Sequence, residues 1–168
     1  LKAIFHKELI TDDIPDYPDM GVPPSEITIA EAVKAAGYHT IHIGKWHLGE
    51  APRLQPNAQG FDESLAILAG GAKFLPDDDP DTVNAKLPWD PIDRFIWANL
   101  RHAVTFNGGK RFHPQGHMTD YFAAEAEKAI DANKNRPFFM YLAFNAPHTP
   151  LQATREEYDR LPQIKDHK

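Results

Sequence analysis

The sequence contains no cysteine. Neither a disulfide nor a thiolate metal site is therefore available within these 168 residues, and the redox compartment stays undecided. Apolar runs are short, and none approaches the roughly 20 residues that a membrane-spanning helix needs. Positive charge is also scarce: 18 Lys and Arg against 24 Asp and Glu leave a net charge of −6. A chain of that sign is not built to attract nucleic acid or an anionic bilayer, so a site for an anionic ligand has to be local. No basic segment followed by an apolar one marks a leader, and no internal repeat or low-complexity tract occurs. The chain starts at Leu1, which reads as a piece of a longer or processed protein.

What is present is one domain's worth of ordinary globular composition, 42% hydrophobic and 25% charged. It is organised around Gly37-Tyr38-His39-Thr40-Ile41-His42-Ile43-Gly44-Lys45-Trp46-His47-Leu48-Gly49. This segment predicts a strand over 39–43, with His39, Ile41 and Ile43 on one face and Thr40 and His42 on the other. Gly44 and Gly49 bracket a turn that presents Lys45 and His47. A cation and an imidazole two residues apart at a strand end suit an oxyanion, because both donate hydrogen bonds to it. A phosphate loop of the G-x-x-x-x-G-K-[ST] kind is excluded, since Trp46 stands where Ser or Thr is required.

The strand has a helix before it. Thr28-Ile29-Ala30-Glu31 forms a capping box, and Ile29, Ala32, Val33 and Ala36 recur at helical spacing up to Gly37. Helix followed by strand is the rhythm of an α/β sheet. The segment before it, 1–26, is polar and proline-bearing, with Asp12, Asp13, Asp16 and Asp19 in an irregular surface stretch. That group lacks the glycine and terminal glutamate of a calcium loop, as does the later acidic run around Asp77–Asp81, and both read as solvated loops.

Further on, 52–59 reads as loop and 64–68 as a short apolar element. Residues 90–103 predict a helix with Ile92, Phe95, Ile96 and Leu100 on its inner face. Asn107-Gly108-Gly109 signals a turn of a small hairpin. His113 and His117 are four apart, but Pro114 and Gly116 speak against the helix that would align them as a metal pair. A longer helix is expected over about 120–134, capped by Thr119, with Phe122, Ala126, Ala129 and Ile130 inside. Phe138–Phe144 is a continuous apolar run of strand length, as burial on both faces requires. It ends in Asn145-Ala146-Pro147-His148-Thr149-Pro150, a proline-flanked loop displaying one histidine. Ligands of open α/β sheets sit outside the carboxyl ends of the strands, which is where Lys45, His47 and His148 all fall. The final charged stretch, 153–168, opens a short helix near Glu156 and is broken at Pro162.

The segment Gly37–Gly49 resembles the second signature of the type I sulfatases, which have the alkaline-phosphatase-like fold. Gln59-Gly60-Phe61-Asp62-Glu63, Arg136–Phe144 and Asn145–Gln152 are similar to further segments of that family, and the likeness runs from about Pro24 to Tyr158. The resemblance implies a partial three-layer α/β/α sandwich: 1–168 would be part of a single catalytic domain, truncated at both ends. It implies hydrolysis of sulfate esters, small molecules or sulfated glycans, by a formylglycine nucleophile with a divalent cation, usually calcium. Lys45 matches the lysine that neutralises sulfate charge, and His47 the histidine bonded to the formylglycine gem-diol. His148 matches the histidine beside the leaving-group oxygen. Lys45 and His148 would thus bind substrate, and all three would serve catalysis.

The family's Cys/Ser-x-Pro-Ser-Arg nucleophile motif has no match in 1–28, and its metal-binding aspartates are not matched by Asp12-Asp13. Nucleophile and metal ligands are therefore expected outside these residues, and this segment alone is expected to be inactive. Family habit points to a periplasmic, secreted or lysosomal location. Two alternatives stand beside this reading: phosphoester or phosphonate-ester hydrolysis in the same superfamily, and a non-catalytic truncated homologue. For His39 and His42 a structural role is expected. The isolated segment is also expected to fold poorly, for want of partners to the strands at 39–43 and 138–144.

Overall fold

A computed structural model describes residues 20–161. The acidic stretch Asp12–Asp19 and the break at Pro162 lie outside the described residues. The expected first helix is α1, Ile29–Ala35, closed at its start by the capping box: the Thr28 hydroxyl accepts from the Glu31 amide at 3.1 Å, and the Glu31 carboxylate accepts from the Thr28 amide at 2.7 Å. Its inward face differs from the predicted stripe. Ala30 is the buried residue, whereas Ile29, Ala32 and Ala36 are exposed. The helix is so short that one small residue is enough to seat it.

Strand β1, His39–Lys45, follows directly. It lies inside a four-stranded sheet with β2 (Glu63–Ile67), β4 (Thr105–Phe106) and β5 (Phe138–Ala143), in the order β4-β2-β1-β5. Both neighbours of β1 run parallel to it, with Ile43 opposite Leu65 on one side and Leu142 on the other. The expectation that strand 39–43 lacks partners is thus corrected, because it is the best-paired strand described. Strand β4 pairs antiparallel with β2, and the predicted turn at Asn107-Gly108-Gly109 closes a small hairpin through the Val104–Phe112 bridge.

The long helix α2 runs over Met118–Asn133 and packs on the Ile41, Ile43, Leu65 and Ile67 face of the sheet. Met118, Phe122 and Ala126 are its buried stripe, while the predicted Ile130 is about half exposed. Its cap is His117, not Thr119: the His117 Nδ1 accepts from the Thr119 amide at 3.3 Å. On the opposite face of the sheet Ala30 packs with Trp46, Phe61 and Phe139. Helices on both faces make three layers, the α/β/α architecture.

Two expectations fail for physical reasons. Strand β5 is an edge strand among the described residues; Phe138, Met140 and Leu142 reach the core, but Tyr141 and Phe144 are exposed. The helix predicted for 90–103 is a π-turn at Ile92–Ile96 followed by a 3₁₀ turn at Trp97–Asn99, ending at the buried Leu100. There Phe95 points to solvent, because the altered winding breaks the 3.6-residue stripe. Two short strands escaped the sequence reading: β3 (Thr82–Asn84) and β6 (Gln152–Thr154), paired antiparallel. The expected terminal helix is α3, Arg155–Asp159, capped by the Thr154 hydroxyl. The described residues contain no helix long and apolar enough to cross a membrane.

Candidate functional site

Strands β1 and β5 are parallel neighbours with Gly44 opposite Ala143. Their carboxyl ends therefore open onto one edge of the sheet, and the loops carrying Lys45-Trp46-His47 and Asn145–Pro150 leave it side by side. Gly44 is required for this closeness: its φ is +116°, and a Cβ there would collide with the Ala143 carbonyl.

Beyond Gly44 the chain stays fastened to the end of β2. The Trp46 amide donates to the Ile67 carbonyl at 2.9 Å, and the His47 amide to that of Leu68 at 3.2 Å. His47 itself sits at φ +55°, a left-handed conformation that a side chain disfavours and that surrounding structure must hold in place. Trp46 supplies part of that hold. Its ring is buried and its indole N–H donates to the Leu54 carbonyl at 2.8 Å. The two residues flanking Trp46 are half-buried.

Beneath this turn lies His42, fully buried. Its Nε2 donates to the Lys45 carbonyl at 3.3 Å, and its ring meets Trp46 and Phe61 edge-on at 5.3 and 5.5 Å. Burial pushes its pKa down to about 4, against a smaller upward effect of the Lys45 carbonyl bond. It is neutral at physiological pH, a support under the turn. His39, on the other face, is anchored between Asp62 at 3.3 Å and Glu63 at 2.6 Å. Both histidines have the structural roles expected of them.

The second loop is built from its ends inward. Asn145 is buried and donates to the Ala72 carbonyl at 3.4 Å, and Pro150 is buried. The His148 amide closes a turn onto the Asn145 carbonyl at 3.0 Å, which leaves the imidazole exposed. Its Nδ1 donates to the Thr149 carbonyl at 2.6 Å, so the proton-exchanging nitrogen is Nε2. His148 lines a groove of about 420 Å³ together with His117, Phe74 and Tyr158. The sequence presents His117 only as half of an unfavoured metal pair with His113, and nothing local points to its place in the groove.

Of the other candidates, His113 donates from Nδ1 to the His102 carbonyl at 2.6 Å and His117 caps α2, so the two serve separate local structures. Among the described residues no group of three or more His, Asp or Glu side chains is arranged to hold a metal ion.

A family model described as Sulfatase matches residues 8–166. The chain is 37% identical over 132 residues to an uncharacterized sulfatase of Schizosaccharomyces pombe, covering 76% of this chain and 22% of that protein. It is 33% identical over 137 residues to an arylsulfatase of Klebsiella aerogenes, covering 80% of this chain and 26% of the relative. A mouse N-acetylgalactosamine-6-sulfatase is 32% identical, covering 81% and 25% respectively. Among solved structures, Ps i-CgsB in complex with k-i-k-neocarrahexaose superposes with a TM-score of 0.69 at 34% identity, over 88% of this chain and 32% of that one. The chain thus spans about a quarter of the length of these curated relatives.

Proposed function

The chain belongs to the sulfatase family, and on that premise we propose that it is the part of a longer catalytic domain that brings a cation and two imidazoles to a sulfate ester. The reaction exchanges the ester S–O bond for a bond to water's oxygen, with a proton delivered to the departing alcohol. The observation that carries the reading is the register of β1 against β5, which sends the Lys45–His47 turn and the His148 loop out of the same sheet edge.

Each residue has a distinct task in this reading. The Lys45 ammonium neutralises charge on the nonbridging sulfate oxygens, where a fixed cation in a partly buried turn acts more strongly than in water. His47, held at the end of that turn by Trp46, hydrogen-bonds the nucleophile. His148 lies with Nδ1 committed to the Thr149 carbonyl, so only Nε2 can carry a proton to the leaving oxygen, and the ring must be imidazolium to do it. Its exposure lets it meet the organic half of the ester.

Formylglycine and a divalent cation, which the family resemblance implies for this chemistry, do not fit the described residues. There is no cysteine in the sequence and no metal-holding carboxylate group among the described residues. We assign both to residues of the longer domain, and the ion to calcium. The substrate is a small sulfate ester or a sulfated glycan.

The test is hydrolysis of para-nitrophenyl sulfate by the whole open reading frame containing these residues. Lys45→Ala and His148→Ala are each expected to lower kcat/KM by about a hundredfold or more. Activity indifferent to both substitutions would remove the proposed roles.

A further inference from the structure

His148 is exposed, so close packing does not hold its ring. Its own loop gives it two ties, the Nδ1 bond to the Thr149 carbonyl and the amide bond to that of Asn145. Both travel with the loop. The place of the imidazole over the sheet edge is therefore set by whatever grips the loop at its two ends, Asn145 and Gln152.

One segment, 72–75, grips both. The Asn145 side-chain amide donates to the Ala72 carbonyl at 3.4 Å. The Gln152 Oε1 accepts from two successive backbone amides, that of Phe74 at 2.7 Å and that of Leu75 at 3.3 Å. The segment is itself fixed in the core. Ala72 and Phe74 are buried in one cluster with Ile43 and Met118, and the Met118 amide donates to the Phe74 carbonyl at 2.9 Å. Of the two grips, that of Gln152 is the shorter and the doubled one. It also supplies the acceptor that the amides of two buried residues require. Its other end is spent as well: Nε2 donates to the Asn84 side chain at 2.8 Å, across the β3–β6 pair. With both ends committed, the side chain acts on the site only through the loop that it holds.

We propose that Gln152 is a positioning residue for the general acid: by fastening the loop to 72–75 it fixes where Nε2 of His148 meets the departing oxygen. The proposal rests on the sulfatase reading above. It adds a residue that touches no substrate and whose loss is felt in one step, protonation of the leaving group.

The experiment compares phenyl sulfate with para-nitrophenyl sulfate on the whole protein. The two esters have similar shapes, but the nitro group draws charge from the departing oxygen, which then depends less on a general acid. Gln152→Leu removes the acceptor, and Gln152→Asn withdraws it by the smaller change of one methylene. Gln152→Glu keeps an acceptor for both amides, and Asn84 can turn its amide to donate to the second oxygen. Gln152→Leu and Gln152→Asn should lower kcat/KM for phenyl sulfate by about a hundredfold, and for para-nitrophenyl sulfate by less than about tenfold. Gln152→Glu should keep most of the activity on phenyl sulfate. The inhibition constant of inorganic sulfate, which fills only the sulfate position, should not move. Adding Gln152→Leu to His148→Ala should slow phenyl sulfate no further. Equal losses on the two esters in Gln152→Leu and Gln152→Asn, or no loss on either, overturn the proposal, because general loosening does not distinguish leaving groups. A further loss in the double variant, or weaker inhibition by inorganic sulfate, overturns it too. Failure of the unaltered protein to hydrolyse either ester would instead defeat the sulfatase reading, and the role of Gln152 with it.

Discussion

Acidification should destabilise this chain through His42. The ring is fully buried under the Lys45 carbonyl and is neutral when folded. In the unfolded chain it takes up a proton near the ordinary 6.5, whereas in the folded chain burial delays this to about 4. The folded pKa is lowered, so the unfolded state binds more protons throughout that interval and stability falls as pH falls. At about 1.4 kcal/mol per pH unit, the interval is worth about 3 kcal/mol, fully retained above 6.5 and lost on reaching about 4. Urea unfolding of the chain across this range, in parallel with His42→Phe, isolates the contribution. Phenylalanine keeps a ring against Trp46 and Phe61 but cannot titrate. The variant should lose about 3 kcal/mol less than the unaltered chain over the same interval. Equal pH slopes for the two proteins would refute the argument, since the other histidines titrate in both.

Other perturbations have effects of defined size. Asp62→Asn should cost about 1 kcal/mol near neutral pH in chemical denaturation, because solvent screens its pairing with the half-exposed Lys34. Burial raises the carboxyl pKa, but the Lys34 ion pair and two Thr40 hydrogen bonds outweigh it and bring it to about 2. That stability is present above the ordinary 3.8 and lost as pH falls through about 2. Gly44→Ala should destabilise by roughly 2 kcal/mol or more, through its positive φ and the collision with Ala143; a neutral result in thermal melting would mean the strands are not so tightly apposed. Phe122→Ala, emptying the fully buried centre of the α2 face, should cost about 3–5 kcal/mol in the same measurement.

The sequence was most legible where local chemistry and tertiary environment agree. The capping box at Thr28 and Glu31 marked the start of α1, and the alternation of Ile41 and Ile43 with Thr40 and His42 marked β1 and its two faces. It was least legible where local pattern is indifferent to context. The apolar run Phe138–Phe144 has the composition of a strand buried on both faces, yet among the described residues it is an edge, because burial depends on neighbours that composition cannot count. The 92–99 segment carries a helical stripe but winds as π and 3₁₀ turns, and the three-residue strands β3 and β6 are too short to leave an alternating signature. Lys45, His47 and His148 were legible as candidates from motif and strand-end position alone. The support beneath them was not. His42 packed beneath the turn against Phe61, and His117 stacked on Phe74, depend on contacts between residues distant in sequence.

The measurement that bears most directly on the central claim is sulfate release by the whole open reading frame containing these residues, comparing para-nitrophenyl sulfate with para-nitrophenyl phosphate. The account predicts that the sulfate ester is the better substrate and that Lys45→Ala lowers its turnover by about a hundredfold. A phosphate preference, or sulfate hydrolysis untouched by the loss of Lys45, would contradict it.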